Sequence, residues 1–515
     1  MEHFFESLHG SLSVIFIAAS VLVIYVFGTR NHDYYKKRNV AYVKPYPFVG
    51  NLWPIVLNKM TQCDLILWLY NELQGHKFGG MFGFSTPALF LRDPQVIRDV
   101  CIKDFEFFTD RRPLLNEKLD PMAGKVLPSL PGDRWRRMRC VLSSAFTPSK
   151  IKEMYPNAEL CTHRFVDFLL QQVDKTNSNH SLKIIPRDGG IVLEFRDLMS
   201  RFCTDVLALC TLGLQFNSCA QPDNEMYRVG QSLTNFEGRR ALAVLGYLFS
   251  PRLMKMLNIS MVDQKAVNFF KKLVQQLKKQ GMNSKRNNVF TLLLQAQQTP
   301  GELLLPDVDD ESIAAQIMLV FLAGIETLTT LLCFTSYLLA THPHIQEKLY
   351  QEIQDCGSQT PDSETLHKLQ YLEMVISESM RMYPPVEVVD RKCVKTYTFS
   401  EGGFTFYEGE GLVIPIYALH RDPENFPDPD RFVPERFSDR NKHNIKPFTY
   451  LPFGTGPRNC LGMKFAKTVA KLALVKLLMK FELQVVDTTP IPLRLAKLCF
   501  NKRVEGGFWL GLRPR

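Results

Sequence analysis

Apolar positions recur every three or four residues over Ser200–Leu214, Val262–Gln280, Asp310–Thr341, Thr365–Tyr383 and Gly462–Phe481, a spacing that predicts helices. Strand signals are fewer. Met81–Leu91, Tyr397–Phe406 and Gly411–Tyr417 alternate or are rich in β-formers, which predicts small sheets at the side of a mainly helical body. Ahead of all of these, Ser11–Gly28 carries no charge. At about 1.5 Å per residue it is just long enough to cross a bilayer core of roughly 30 Å. Glu2 and Glu6 precede it, no small-residue cleavage site follows, and Arg30, Lys36, Lys37 and Arg38 come after. The expectation is an uncleaved anchor with the bulk of the chain in the cytosol. Pro45-Tyr46-Pro47, followed by Gly50, reads as a stiff, turned lead-in. A second apolar stretch, Ala241–Phe249, has basic residues on both sides and is too short to span. It is either an ordinary buried helix or a segment dipping into the membrane surface.

Composition narrows this picture. With 45% hydrophobic and 22% charged residues over 515 positions, the chain can build a deep core and hide a cofactor. No Gly/Ser-rich linker cuts it, so residues 1–30 are expected as the anchor and 31–515 as one globular domain. Twelve scattered cysteines include no CxxC pair, which speaks against a zinc ribbon and against a disulfide framework. The sequons at Asn179 and Asn258 are then coincidences of a cytosolic chain. A net charge of +10 comes in local clusters with no nucleic-acid-reading motif, so DNA and RNA are not expected partners, whereas an anionic membrane surface or an acidic protein is compatible.

The chemistry concentrates in Phe453-Gly-Thr-Gly-Pro-Arg-Asn-Cys-Leu-Gly462, just ahead of a predicted helix. Its five fixed residues, Phe, Gly, Arg, Cys and Gly, coincide by chance in about one chain of this length in 10⁴. The glycines allow tight turns and close approach to a flat ligand, and Arg458 offers a fork of donors to a carboxylate. Cys460, at the start of that helix, is expected to favour the thiolate. Ala323-Gly-Ile-Glu-Thr327 lies mid-helix, where Gly, Glu and Thr are poor choices for stability alone, and such a broken rule often marks function.

On these residues the chain resembles the cytochrome P-450 family, of the microsomal type, over nearly its whole length. Glu378-Ser-Met-Arg381, Pro434-Glu-Arg436-Phe437 and Trp135-x-x-x-Arg139 stand in the expected order. The resemblance implies the P-450 fold, haem b with Cys460 as axial ligand to the iron, and Arg111, Trp135, Arg139, Arg391 and Arg458 on its propionates. It places Phe453 near the sulfur and haem, and Glu326 and Thr327 on the oxygen side as catalytic residues, with Gly324 leaving room for dioxygen. Here the chain departs from the commonest pattern, since Leu328 stands where a second hydroxyl is usual.

The activity so implied is insertion of one oxygen atom of O2 into a lipophilic substrate by an enzyme of the endoplasmic reticulum membrane. Overall similarity is greatest to forms that handle xenobiotics, including insect detoxification enzymes. No dinucleotide fingerprint or flavin domain is present, so electrons are expected from NADPH-cytochrome P-450 reductase, with cytochrome b5 as a further partner and Arg134, Arg136 and Arg137 as a docking run. Two alternatives stand beside this: a haem-thiolate isomerase or dehydratase needing no reductase, and a non-catalytic membrane haem-binding protein. Leu114–Val126, Phe236–Phe249, Val386–Val389 and Lys502–Phe508 are the segments expected to wall the substrate pocket.

Overall fold

The computed structural model describes residues 15–16, 18–23, 25–112, 116–175, 182–280, 288–298, 308–357, 361–399 and 403–515. The helices that build the site are α1 (Gly132–Ser144), α2 (Pro148–Val173), α3 (Phe195–Leu207), α4 (Arg239–Phe249), α5 (Asp310–Thr341), α6 (Gln370–Met382) and α7 (Met463–Lys480). The 32-residue α5 runs through the core. Asp309 caps it by accepting from Ser312 N at 2.7 Å, and Asp310 and Glu311 put negative charge on its first turn. By length and composition α5 could cross a membrane, but most of it is buried inside the protein, as a central core helix is.

Strands are β1 (Phe78–Gly83), β2 (Thr86–Leu91), β3 (Ile184–Arg187), β4 (Gly190–Glu194), β5 (Val389–Lys392), β6 (Tyr397–Thr398), β7 (Thr405–Phe406), β8 (Gly411–Ile414), β9 (Phe481–Gln484) and β10 (Trp509–Pro514). They form sheets ordered β1-β2-β8-β5 and β3-β4-β10-β9, with β6-β7 as a separate hairpin. One large apolar cluster unites the helices around α5, and a second fills the space behind the first sheet. The mainly helical body with small sheets is the architecture the periodicity predicts.

Three local differences have physical causes. Met81–Leu91 is two strands joined at Phe84, whose φ of 54° turns the chain back on itself. Thr365–Tyr383 splits at Leu369 into Ser363–Lys368 and α6, because the Glu352 carboxylate accepts from Tyr371 N at 2.7 Å and Leu372 N at 2.9 Å and so caps a new helix start. Ser200–Leu214 starts five residues earlier as α3, widens after Leu207 and ends at Gly213, φ 72°.

Of the apolar run Ser11–Gly28, residues 11–14, 17 and 24 lie outside the described residues, as do Asn179, Leu114 and Leu115. Ala18–Thr29 forms a short apolar helix with Val21, Leu22, Val26 and Phe27 exposed. In α4, Ala241, Ala243, Val244, Leu245 and Tyr247 are buried while Leu242 and Phe249 face outward, so this stretch joins a core contact to an exposed apolar face.

Candidate functional site

Two glycines shape the loop before α7. Gly454 and Gly456 take φ of 69° and 71°, and a Cβ on Gly456 would lie 2.0 Å from the Cys101 carbonyl oxygen. Only glycine fits there. Gly454 N donates to Leu451 O at 2.9 Å and Cys460 N to Phe453 O at 2.8 Å, so the loop curls back and presents the cysteine. All twelve cysteines are free thiols, nine of them buried. Cys460 is accessible although protein surrounds it on almost every side, the position of a side chain on the wall of an internal hollow.

The surroundings of this thiol pull in opposite directions. Burial pushes the Cys460 thiol up, opposed by the Gly462 amide and by the charges of Arg139 and Arg111. α7 begins at Met463, and the amide that meets the thiol is that of its cap residue Gly462. A coordinated metal cation deprotonates such a thiol outright. Among the described residues no group of three or more His, Cys, Asp or Glu side chains could hold a metal ion. A metal at Cys460 must therefore bring its other ligands with it.

The basic residues around the hollow test that idea. Arg458 is buried, stacks 3.9 Å over Trp135, and donates to Thr109 O at 2.7 Å and Leu130 O at 3.1 Å, yet its Nη1 has no partner. Arg391 is buried with Nε unpartnered, and Arg111 Nη2 reaches Arg458 O at 3.4 Å. Burial first, then the neighbouring arginines, pull Arg458 down to about 9 and lower Arg111 as well. Asp110 pairs with Arg458 at 3.7 Å and accepts from Gly132 N at 2.8 Å, and Asp390 accepts from Arg112 N at 2.6 Å, so two acids face Arg111, Arg391 and Arg458. This is a buried surplus of positive charge with unspent donors, and it fits an anionic group such as a pair of carboxylates.

Arg139 differs from its expected place. Both its Nη atoms are spent on Asn459, at 2.8 Å to the carbonyl and 2.7 Å to the side-chain oxygen, so in this structure it braces the cysteine loop. Phe453 is half-buried and its carbonyl receives the Cys460 amide. Behind the loop, Arg381 makes two 2.8 Å hydrogen bonds to Glu378, which also accepts from Arg436 at 3.3 Å and Val433 N at 3.0 Å. Arg381 donates to His420 O at 2.9 Å, and His420 Nε2 accepts from Leu451 N at 2.8 Å. The network thus reaches the loop through His420, a residue no sequence signal singled out.

In α5, Ser312–Met318 and Leu328–Ala340 are buried, and between these two stretches Ala323 is exposed. Thr327 Oγ1 donates to Ala323 O at 2.7 Å. Glu326 pairs instead with the buried Arg196 of α3, which the sequence reading missed because it lies 130 positions away. Burial opposes the Arg196 charge, but Glu326, Cys333 and Glu194 outweigh it and raise its pKa. Gly324 turns its missing Cβ towards α3: a Cβ there would lie 2.7 Å from Leu207, so the glycine lets α3 and α5 pack closely. Leu328 is buried in the apolar core, where a hydroxyl would lack a watery partner. In the basic run, Arg134 pairs with Glu117 at 2.6 Å, and Arg136 with Glu106 at 2.5 Å and Asp133 at 3.1 Å.

A family profile described as Cytochrome P450 matches residues 41–505. Cytochrome P450 9e2 of Blattella germanica is 45% identical over 519 residues, covering 97% of each chain. Cytochrome P450 9c1 of Drosophila melanogaster is 34% identical, covering 97% of this chain and 98% of the relative. Cytochrome P450 3A11 of Mus musculus is 33% identical over 94% of this chain and 93% of its own.

Proposed function

The chain belongs to the cytochrome P450 family, and from that premise we propose that it oxidises lipophilic xenobiotics, or endogenous lipids and steroids, with electrons from an NADPH-dependent flavoprotein reductase of the same membrane. As a member it is a haem-dependent monooxygenase. When bound, haem b supplies the iron at which dioxygen is activated. The observation that carries the site assignment is the pairing of an accessible, enclosed cysteine with a cluster of arginines that has donors to spare.

Each residue then has a task. Cys460 ligates the iron, and Arg111, Arg391 and Arg458, with Trp135 stacked beneath the last, hold the propionates. Arg139 keeps the cysteine loop in place and Phe453 shields the sulfur from water. Thr327 turns its hydroxyl proton from the Ala323 carbonyl to the reacting oxygen, and Glu326 carries protons towards it. Residues 1–30 anchor the chain in the endoplasmic reticulum and 31–515 form the catalytic domain in the cytosol. The outward apolar residues Leu242, Phe249, Leu253, Met256 and Leu257, with Arg252 and Lys255 among them, rest on the same membrane. Cytochrome b5 is a second electron donor in this reading.

Full-length protein in vesicles with reductase, NADPH and O2 is the test, against a panel of steroids, plant toxins and insecticides. Products carrying one oxygen atom from O2 should form only when reductase is present. Product made without it would support the isomerase alternative instead. Cys460→Ser should abolish both turnover and the red-shifted Soret band of the ferrous carbon monoxide complex, and survival of that band would remove Cys460 as the ligand.

A further inference from the structure

Arg196 sits in the first turn of α3, almost completely enclosed. Its Nη2 donates to Glu326 Oε1 and its Nη1 to the carbonyl of Lys502 at 3.3 Å, while Nε has no partner. Lys502 carries the contact onward, because its buried ammonium pairs with Glu387. The residues beside it are tied to the other pocket segment: Asn501 donates to Thr234 O, Phe500 N to Phe236 O at 3.3 Å, and Arg503 pairs with Glu237 at 2.7 Å. Segments around Phe236, Glu387 and Lys502 thus meet at one loop. Arg196 joins that loop to α5.

Helix geometry explains why this matters for Glu326. Successive residues on a helix are turned by about 100°, so Glu326 and Thr327 do not share a face. Thr327 lies on the accessible side, bonded to its own backbone, and Glu326 leaves towards α3. The place of the carboxylate is therefore set by Arg196 and not by Thr327. The other charged or titratable groups facing this guanidinium are Glu194, Cys203 and Cys333.

We propose that Arg196 is a positioning residue for proton delivery: it holds the Glu326 carboxylate beside the oxygen-side helix and ties it to the pocket loop Asn501–Arg503. The role rests on the assignment of Glu326 and Thr327 above. Each productive turnover takes one substrate C–H bond, one O2, two electrons from NADPH and two protons, and yields one hydroxylated carbon and one water. The same electrons and protons spent without oxygen insertion yield hydrogen peroxide. Misplacing the proton carrier shifts turnover from the first balance to the second.

The test compares Arg196→Met, Arg196→Lys, Glu326→Gln and the double variants in full-length protein with reductase, NADPH and the best substrate of the panel. Arg196→Met should keep the ferrous carbon monoxide band and oxidise NADPH at a similar rate. Product per NADPH should fall on the order of tenfold, with hydrogen peroxide accounting for the missing electrons and a larger solvent isotope effect on product formation. Arg196→Lys should recover part of the coupling, which a merely structural loss would not. In a Glu326→Gln background Arg196→Met should add little. Unchanged coupling in Arg196→Met, or an equal loss in both backgrounds, overturns the proposal. Should Arg196→Met fail to load haem, Arg196→Lys with and without Glu326→Gln decides by the same criteria. An unaltered enzyme that gives the carbon monoxide band but no product from any substrate would instead overturn the reading of the site beneath it.

Discussion

Glu378 and Arg381 have no exposed side-chain surface, and neither leaves a buried polar atom without a partner. They reach the cysteine loop through His420 and Leu451, and Arg139 grips the same loop from the side. On α5, Thr327 is half-buried and bonded to its own backbone, and Glu326 depends on one guanidinium from another helix that has a nitrogen to spare. The first region is held several times over. The second hangs on single contacts that arrive from the pocket walls, so side chains there can differ from one enzyme to another without disturbing the ligand loop.

That contrast is broken most directly at Glu378. Glu378→Ala would leave Arg381 and Arg436 facing each other without their shared carboxylate, a buried loss of about 3–5 kcal/mol. Denaturant unfolding should show it, together with weakened haem loading. A cost under about 1 kcal/mol would mean that this network does not hold the loop.

His420 sharpens the same point with pH. Burial first, and then the Arg381 charge, hold its imidazole down to about 3, against an ordinary value near 6.5. A basic group lowered in the folded state binds more protons when unfolded. Its contribution is therefore complete above about pH 6.5 and is lost as pH falls towards 3, by up to about 1.4 kcal/mol per pH unit. His420→Gln keeps an acceptor for Leu451 N–H and removes the titration, so its stability should fall less steeply between pH 6.5 and 4.5. Equal slopes in the two proteins would show that His420 is not enclosed in this way.

What could be read in the sequence follows the same division. The cysteine loop was legible because its turns, its glycines and its thiol lie within ten residues, and Glu378 and Arg381 are neighbours on one helix face. Arg196–Glu326 and Lys502–Glu387 join residues more than a hundred positions apart, and no local spacing announces such a pair. Strand β10 was missed for a similar reason, since it pairs with β4 over three hundred residues away, whereas β3 and β4 form a local hairpin whose Asp188-Gly189 turn was passed over. Arg139 was legible as a basic residue of the site, but its choice of Asn459 depends on how α1 meets the loop. Periodicity names the elements, while long-range pairing decides which charges meet.

The smallest effect discriminates between two roles for Gly324. If the glycine serves helix packing, Gly324→Ala drives a Cβ to within 2.7 Å of Leu207. The crowding costs about 1–3 kcal/mol and is offset by about 1 kcal/mol of better helix propensity, for a net loss near 1 kcal/mol. Leu207→Ala removes the opposing side chain, so the double variant should cost less than the sum of the two single changes. If instead the glycine keeps space open on the accessible face, Gly324→Ala should gain up to about 1 kcal/mol of stability while turnover falls, and Leu207→Ala should not rescue it. Stability and turnover measured on the same three variants therefore tell whether this part of α5 is shaped by its neighbour α3 or by the ligand side.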